Sequence, residues 1–391
     1  MKRNVLHFIY GFLEGGSEHQ MLQLARHMRA AGRYEVGIAC LNRHGKLVGE
    51  AEAVNGGEVP EFPVSSFRDR NALAQLRRFA RFLREREITV VHTHDFYSNV
   101  FGMAGAALAR VPARVGSKRE TEGFRTPSQK RLERAAYRLA HAVIVNAEAV
   151  RAQLDREGVP AAKLVTVYNG LDMRRVEPPA GFDGDEARAA LGLPPGRPLV
   201  TIVANLQHEV KDHRTFLRAA RRVHASVPGA SFVIAGEGEL LEGLRAHAAE
   251  LGLAREVFFI GRCERVADLL ALSEVCVLSS KAEGFSNSIL EYMAAGRPAV
   301  VTDVGGAREA IEDGRNGYVV PAGDDEAMGA RVASLLQDPE GARRMGEEGR
   351  RVVGEKFSCE AQLARTEALY ERLLARRRLP HPGAALGREG A

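Results

Sequence analysis

Short runs of apolar, mostly β-branched residues alternate with amphipathic segments along nearly the whole chain. In the first half the runs are Val5–Ile9, Val36–Ala39, Thr89–Val91, Arg114–Gly116, Ala142–Val145 and Val165–Val167. Between them, apolar residues recurring every three or four positions predict helices over Ser17–Ala30, Ala72–Arg86 and Ser128–Leu139. The second of these places Leu73, Leu76, Phe79, Phe82 and Leu83 on one face. Strands that are apolar throughout, rather than alternating with polar positions, predict parallel sheet covered on both sides by the intervening helices.

The alternation breaks at residues 174–198, "RRVEPPAGFDGDEARAALGLPPGRP", a stretch rich in proline, glycine and charge with one short helix near Glu186–Leu191. It restarts with predicted strands Leu199–Ala204, Ser231–Ala235, Val257–Ile260, Val275–Leu278, Ala299–Thr302 and Tyr318–Val320, and is helical from Asp324 to about Arg378. The expected fold class is therefore α/β, two Rossmann-like doubly wound domains in tandem. The first covers residues 1–175, a connection 176–198, the second domain 199–358, a final helix 359–378 and a flexible tail 379–391. In open α/β sheets ligands bind beyond the carboxyl ends of the strands, so two such domains facing each other would hold a ligand in the cleft between them.

A length of 391 residues is consistent with two domains of ordinary size. With 45% hydrophobic and 27% charged residues, the composition is that of a globular enzyme rather than a disordered chain. The formal charge of +5 favours anionic partners without naming one. Cys40, Cys263, Cys276 and Cys359 form no CxxC pair and read as reduced thiols. The start "MKRNVLHFIYGFLEGG" is too short in apolar residues for a secretory signal, and no run approaches the roughly 20 apolar residues that span a bilayer. These features predict a cytoplasmic protein, at most peripheral at the inner face of the membrane.

The polar and glycine-rich clusters that could carry chemistry follow the predicted strands. After Val5–Ile9, Gly15 and Gly16 let a phosphate or sugar approach the backbone, and Ser17 and Glu18 open a helix whose free N–H groups attract anions. The spacing is not GxGxxG, and an ordinary β-to-α turn fits equally well. Lys211 in "NLQHEVKDH" offers a point charge suited to a diphosphate, and Gly236 and Gly238 in "VIAGEGEL" leave room for a flat ring against the backbone. "EGFSNSILE" puts Glu283 in the loop before a helix capped by Ser286 or Asn287, and Glu291 about a turn and a half inside it. "VHTHD" places His92 and His94 on one side of a strand end beside Asp95, a possible metal pair, but no third His or Cys cluster at ligand spacing accompanies it, so no metal is expected. Arginines and lysines crowd the first domain (Arg68, Arg70, Arg77, Arg78, Arg81, Arg84 and Arg86, then Lys118, Arg119, Arg125, Lys130, Arg131, Arg134 and Arg138), a face that suits an anionic membrane or a phosphorylated acceptor. A solvated helix face explains the same residues. Aromatic interleaving is sparse, which disfavours nucleic acid.

Taken together, "GGSE", "ANLQHEVKDH", "GEGEL" and "EGFSNSILEYMAAGRPAVVTDVGG" resemble the retaining glycosyltransferases of family 4, which have the GT-B fold and an E-x7-E signature. The resemblance implies a retaining transfer of a hexose-type sugar from a UDP- or GDP-sugar to a hydroxyl acceptor, a glycan or lipid-linked glycan of cell-envelope or exopolysaccharide synthesis. By the resemblance, Glu283 contacts the donor sugar, and Gly284, Phe285, Ser286 and Asn287 approach sugar and phosphate. Glu291 holds the ribose, Lys211 with Gly16 neutralises the diphosphate, and Asn205 and Gly236 complete the donor site. Glu283, Lys211 and His94 are the implied catalytic group; the final helix is expected to cross back to the first domain, and no metal cofactor is required. Two departures are visible. Asn205 stands where the family often has an arginine six residues before its lysine, and "GSKRETEGF" lacks the histidine expected after the fourth strand. Gly15, Arg119 and Glu120 are then the acceptor-side candidates, with Thr121 nearby. A non-hydrolysing sugar-nucleotide epimerase of the same fold, a non-catalytic nucleotide-sugar-binding protein, and a retaining glycosidase using Glu283 and Glu291 are the competing readings.

Overall fold

A computed structural model of the protein describes residues 3–67, 69–120 and 125–376; the expected tail 379–391, Arg68 and Thr121 lie outside the described residues. The first sheet contains β1 (Arg3–Ile9), β2 (Tyr34–Cys40), β3 (Ile88–Thr93), β4 (Ala113–Lys118), β5 (Ala142–Val145) and β6 (Leu164–Thr166). The second contains β7 (Leu199–Val203), β8 (Ser231–Ala235), β9 (Val257–Gly261), β10 (Val275–Leu278), β11 (Ala299–Thr302) and β12 (Tyr318–Val320). Strand orders are β2-β1-β3-β4-β5-β6 and β12-β11-β10-β7-β8-β9. Every pairing within them is parallel. These are two doubly wound sheets, the architecture read from the alternating pattern.

The order reverses between β1 and β3 in one sheet and between β7 and β10 in the other. A crevice opens at each reversal because the crossovers leave it in opposite directions. The loops after β1, β7 and β10 carry Gly16, Asn205 with Lys211, and Glu283, so topology alone brings these residues to facing crevices. Three helices of the first half, Val48–Asn55, Phe96–Leu108 and Glu148–Arg156, have no counterpart among the predicted ones; the first buries only Ala51 and Val54 and has almost no apolar stripe to read.

The final helix, Cys359–Arg376, lies on the first domain, not the second. Its Leu363, Leu369, Tyr370, Leu373 and Leu374 share a core with Val5, Leu24, Met28, Val90 and Val115. Fully burying such side chains stabilises by about 1.5–3 kcal/mol each, so the helix is an integral part of the domain that starts the chain. A second apolar group, in which Tyr168, Phe285 and Phe357 meet with ring centroids 5.2 Å apart, ties the two domains at the base of the cleft.

Candidate active site

The two sets of strand ends enclose a cavity of about 680 Å³. The first domain lines it with Glu14, Gly16, Ser17, His19, Arg119, Glu120, Asn146 and Asn169; the second contributes Asn205, Lys211, Gly236, Arg262, the loop 283–288 and Glu291 among others. Of the residues expected at the site, Gly16, Arg119, Glu120, Asn205, Lys211, Gly236, Glu283, Gly284, Phe285, Ser286, Asn287 and Glu291 are brought together here. Gly15 and His94 are not among the lining residues.

Lys211 closes a short 3₁₀ turn, Glu209–Lys211, and is followed by Asp212 in a left-handed conformation (φ +46°). Asp212 can hold that conformation because its carboxylate caps the next helix, accepting from Thr215 N and, at 2.8 Å, from Thr215 Oγ1. Ser279, just past β10, donates to the carbonyls of Lys211 and Asp212 at 2.9 and 3.0 Å. The lysine is thus fixed to the strand that delivers Glu283. Lys211 Nζ lies 2.6 Å from Glu283 Oε1, and Ser280 Oγ donates to the same oxygen at 2.6 Å. An anion entering beside Lys211 therefore shares the ammonium with Glu283.

Helix Asn287–Ala294 starts at Ser286, whose side chain makes no capping bond, so the first amides of the helix are left for another acceptor. Glu291 lies on the cavity side of this helix; burial raises its pKa, partly offset by the charge of Arg175. Glu283 and Glu291 occupy different electrostatic settings, one held by a lysine and one in a desolvated wall. Gly236 allows a close crossing: a Cβ there would stand 2.0 Å from the Ala204 carbonyl oxygen.

The two domains are joined at the site by side-chain amides. Asn287 Oδ1 accepts from Asn169 Nδ2 (2.9 Å) and Gln20 Nε2 (3.2 Å); Asn169 Nδ2 also donates to the Phe285 carbonyl (3.0 Å). Gln362 of the final helix donates to Gln20 Oε1 at 2.9 Å. Glu309 of the second domain accepts from the amides of Glu148 (2.7 Å) and Ala149 (3.1 Å), at the N-terminus of helix Glu148–Arg156 in the first. At the cavity mouth Arg262, just after β9, meets Glu14 at 2.6 Å, and Lys46 meets Glu14 at 3.0 Å and Glu237 at 3.7 Å. The sequence reading missed Arg262, Gln20, Asn146 and Asn169. Arg262 had a signal, since it directly follows a strand; buried amides far apart in sequence had none.

His94 is a correction. It is 1% exposed, and its Nε2 is 2.9 Å from His7 Nδ1 beneath the cavity floor rather than in it. β3 is a central strand covered on both faces, so the side shared by His92 and His94 points into the domain. His92 is bound by Tyr370 Oη and Ser117 Oγ, each at 2.7 Å. Burial is the chief cause that depresses all three imidazoles, His7 to about 3. His7, His92 and His94 offer nitrogens within 4.8 Å of one another. Both nitrogens of His92 are already engaged, however, and the adjacent Arg119 charge opposes a dication. Asp95 takes no part in that cluster: it caps helix Phe96–Leu108 and accepts from Tyr10 N at 2.7 Å.

The basic face of the first domain is also smaller than expected. Lys118 is buried on Glu133 (3.2 Å), and Arg125 is paired with Glu133 and Glu120. Arg77, Arg78, Arg81 and Arg84 of helix Arg70–Glu85 are exposed, and Leu73, expected on the apolar face, is 48% exposed. No helix among the described residues is long and apolar enough to cross a membrane.

Residues 14–175 match the model of Glycosyltransferase Family 4, and residues 183–352 match that of Glycosyl transferases group 1. The chain belongs to glycosyltransferase family 4. This glycosyltransferase is 30% identical over 213 residues to N-acetyl-alpha-D-glucosaminyl L-malate synthase of Bacillus anthracis, covering 54% of each chain. It is 26% identical over 288 residues to the UDP-Gal:alpha-D-GlcNAc-diphosphoundecaprenol alpha-1,3-galactosyltransferase of Escherichia coli, covering 70% of this chain and 72% of the other. In fold it is similar to Alr3699/HepE of Anabaena, solved in complex with UDP: TM-score 0.84, 18% identity, 95% of this chain and 100% of that one. The fold of the family 4 chain is accordingly GT-B.

Proposed function

We propose that this glycosyltransferase transfers a hexose-type sugar, with retention at the anomeric carbon, from a UDP- or GDP-sugar to a hydroxyl of a glycan or lipid-linked glycan in cell-envelope or exopolysaccharide synthesis. The observation that carries the reading is the cavity itself: Lys211 and the uncapped start of helix Asn287–Ala294 stand between Glu283 at one end and Glu291 further along the helix. That arrangement suits a sugar near Glu283, a diphosphate over the helix start and Lys211, and a ribose at Glu291. The UDP bound by a protein of the same fold and the lipid-linked acceptor named for the Escherichia coli relative support the same choice of substrates.

In this reading the acceptor hydroxyl approaches the face that the nucleotide leaves. The C–O bond to the diphosphate breaks, the new glycosidic C–O bond forms, and the acceptor proton passes to the departing diphosphate oxygen. The protein contributes positioning and charge stabilisation, and no metal is called for. The exposed Arg77, Arg78, Arg81 and Arg84, with Leu73, would hold the first domain against an anionic membrane bearing the acceptor.

The reading is tested by incubating the purified protein with UDP-, GDP- and ADP-sugars and lipid-linked acceptors, and reading the anomeric configuration of the product by NMR. Transfer with retention is expected, abolished by Glu283→Ala with the far-UV circular dichroism unchanged. An inverted product, or full activity of that variant, overturns it. Co-sedimentation with anionic vesicles, lost when the four arginines become glutamine, tests the membrane contact.

A further inference from the structure

The carboxyl ends of β1, β2 and β3 carry aromatic side chains that the donor cavity does not use. Tyr10 directly follows β1, His44 lies in the loop after β2, and Tyr97 stands in the first turn of helix Phe96–Leu108 after β3. The Tyr10 and Tyr97 rings meet with centroids 4.9 Å apart and planes inclined by 37°. His44 stands edge-on to Tyr10 at 5.7 Å, and Phe67 meets Tyr97 at 6.1 Å. None of these four is among the residues lining the cavity. Tyr97 is nevertheless 43% exposed. A lone exposed apolar side chain needs no explanation, but rings packed on one another along the carboxyl edge of a parallel sheet make a continuous surface where such sheets bind ligands.

The surface is carried by a connected frame. Tyr10 N donates to Asp95 at 2.7 Å, and the Tyr10 carbonyl accepts from Asn42 N at 2.8 Å. Phe12 N donates to the His44 carbonyl at 2.9 Å, so the loops after β1, β2 and β3 are laced together. The frame also has a defined place beside the cleft. β3 lies between β1 and β4, and β4 leads into Arg119, whose carbonyl faces Gly284 so closely that a Cβ there would stand 2.1 Å away. The loop that starts with Tyr10 runs on to Gly16, which faces Asn287. Tyr97 and Tyr10 thus follow the two strands next to the one that meets the Glu283 loop.

We propose that Tyr10 and Tyr97 form a stacking subsite for a pyranose ring of the acceptor, so that the acceptor is recognised by its sugar rather than by a lipid attached to it. The inference rests on the proposed placement of the donor sugar at Glu283, beside which an acceptor must lie. A pyranose presents a face of weakly positive C–H bonds and a rim of hydroxyls. The face of a phenol ring is negative, and its hydroxyl lies at the edge, where it meets that rim. A nucleobase stacks on aromatic rings too, but the nucleotide belongs on the second domain, at Lys211, the helix start and Glu291.

The chain contains no tryptophan, so Tyr97→Trp gives the full-length protein a single fluorescent reporter on this surface. Titration with the methyl glycosides of glucose, galactose, mannose and N-acetylglucosamine should shift its emission for at least one of them, and glycerol should not. Absence of a shift with all four overturns the inference. In transfer assays with methyl and octyl glycosides of the sugar that shifts it, Tyr97→Ala should raise the acceptor KM about tenfold for both, and Tyr97→Phe should keep most of the affinity. Calorimetry should find the affinity of Tyr97→Ala for the free nucleotide within about twofold of wild type. A loss confined to the octyl glycosides assigns the rings to lipid, and an equal loss of nucleotide affinity assigns them to the donor or the fold; either overturns the inference. Absence of transfer from every nucleotide-sugar overturns the proposed function, while the emission titration still decides whether the rings take a sugar.

Discussion

Gly284→Ala separates the cleft from the fold. A methyl at this position would stand 2.1 Å from the Arg119 carbonyl oxygen, 2.8 Å from its carbon and 3.1 Å from Asn146 Oδ1, all in the other domain. Real Cβ atoms do not approach closer than about 3 Å, so roughly 1 Å of movement is needed. The glycine's own loop cannot supply it. The Gly284 carbonyl accepts from Gly306 N at 2.7 Å, and the chain at Gly305 runs so close that a Cβ there would stand 2.3 and 2.5 Å from the Glu283 and Gly284 carbonyl oxygens. The domains must separate instead, stretching the bonds from Asn169 to Phe285 and from Gln20 to Asn287, now 3.0 and 3.2 Å, past useful length. At about 1 kcal/mol for each hydrogen bond, the interface loses about 2 kcal/mol. The cavity walls contributed by the two domains shift by about 1 Å, which costs on the order of 100-fold in rate. Steady-state transfer by Gly284→Ala should therefore fall about 100-fold while the thermal midpoint moves only a few degrees. A control, Gly243→Ala in helix Leu241–Glu250, meets nothing nearer than Arg214 at 3.9 Å and should be active and about 1 kcal/mol more stable. Gly284→Ala with a rate within threefold of wild type would refute the reasoning.

The remaining predictions concern charge. Lys211→Ala removes the cation shared by Glu283 and the proposed diphosphate; transfer should drop at least about 100-fold with circular dichroism unchanged, and titration calorimetry should show weaker binding of the free nucleotide. Glu18 is raised to about 7, by burial first and by the neighbouring Asp95 charge second. Its folded pKa lies above the unfolded one, so its contribution is intact in acid and is lost as pH rises through about 7. Glu18→Gln should raise stability by about 1–3 kcal/mol at pH 8 and change it little at pH 4, read by urea melts; an equal effect at both pH values contradicts the assignment. Glu309→Ala removes the carboxylate on the first amides of helix Glu148–Arg156 and should loosen the domains by about 1 kcal/mol, seen as faster limited proteolysis of the connection 176–198 with both domains left intact.

The strands were legible because parallel sheets buried on both faces demand continuous apolar runs. Val275–Leu278, Ala299–Thr302 and Tyr318–Val320 are strands over the ranges their composition suggests. The site was legible in outline for a topological reason, since any polar residue after a central strand must end near the crevice. The depth of a residue was not. His92 and His94 share a side of β3 by simple alternation, but whether that side faces cleft or core depends on how the helices lie over a central strand, and they seal it. Lys118 looked like surface charge in an arginine-rich stretch, yet Glu133, fifteen residues on, draws it inside. Pairings of that kind are set by the packing of helix Pro127–Leu139 on its neighbours and leave no local mark.

The amides that were invisible in the sequence also hold the two domains together at the cavity. Asn287 stands at the helix start where the proposed diphosphate lies, and its Oδ1 is committed to Asn169 and Gln20 of the other domain. Its Nδ2 is directed toward Gly16, where a Cβ would stand 3.4 Å away, so this side chain presents its donor to the ligand while its acceptor holds the domains together. Gln20 is held in turn by Gln362 on the final helix and donates to the Gly170 carbonyl at 2.9 Å. A ligand that accepts from Asn287 Nδ2 polarises the amide and strengthens the bonds at its oxygen. Asn287, together with Gln20 and the Gln362 that holds it from the final helix, thus joins the two domains at the start of helix Asn287–Ala294.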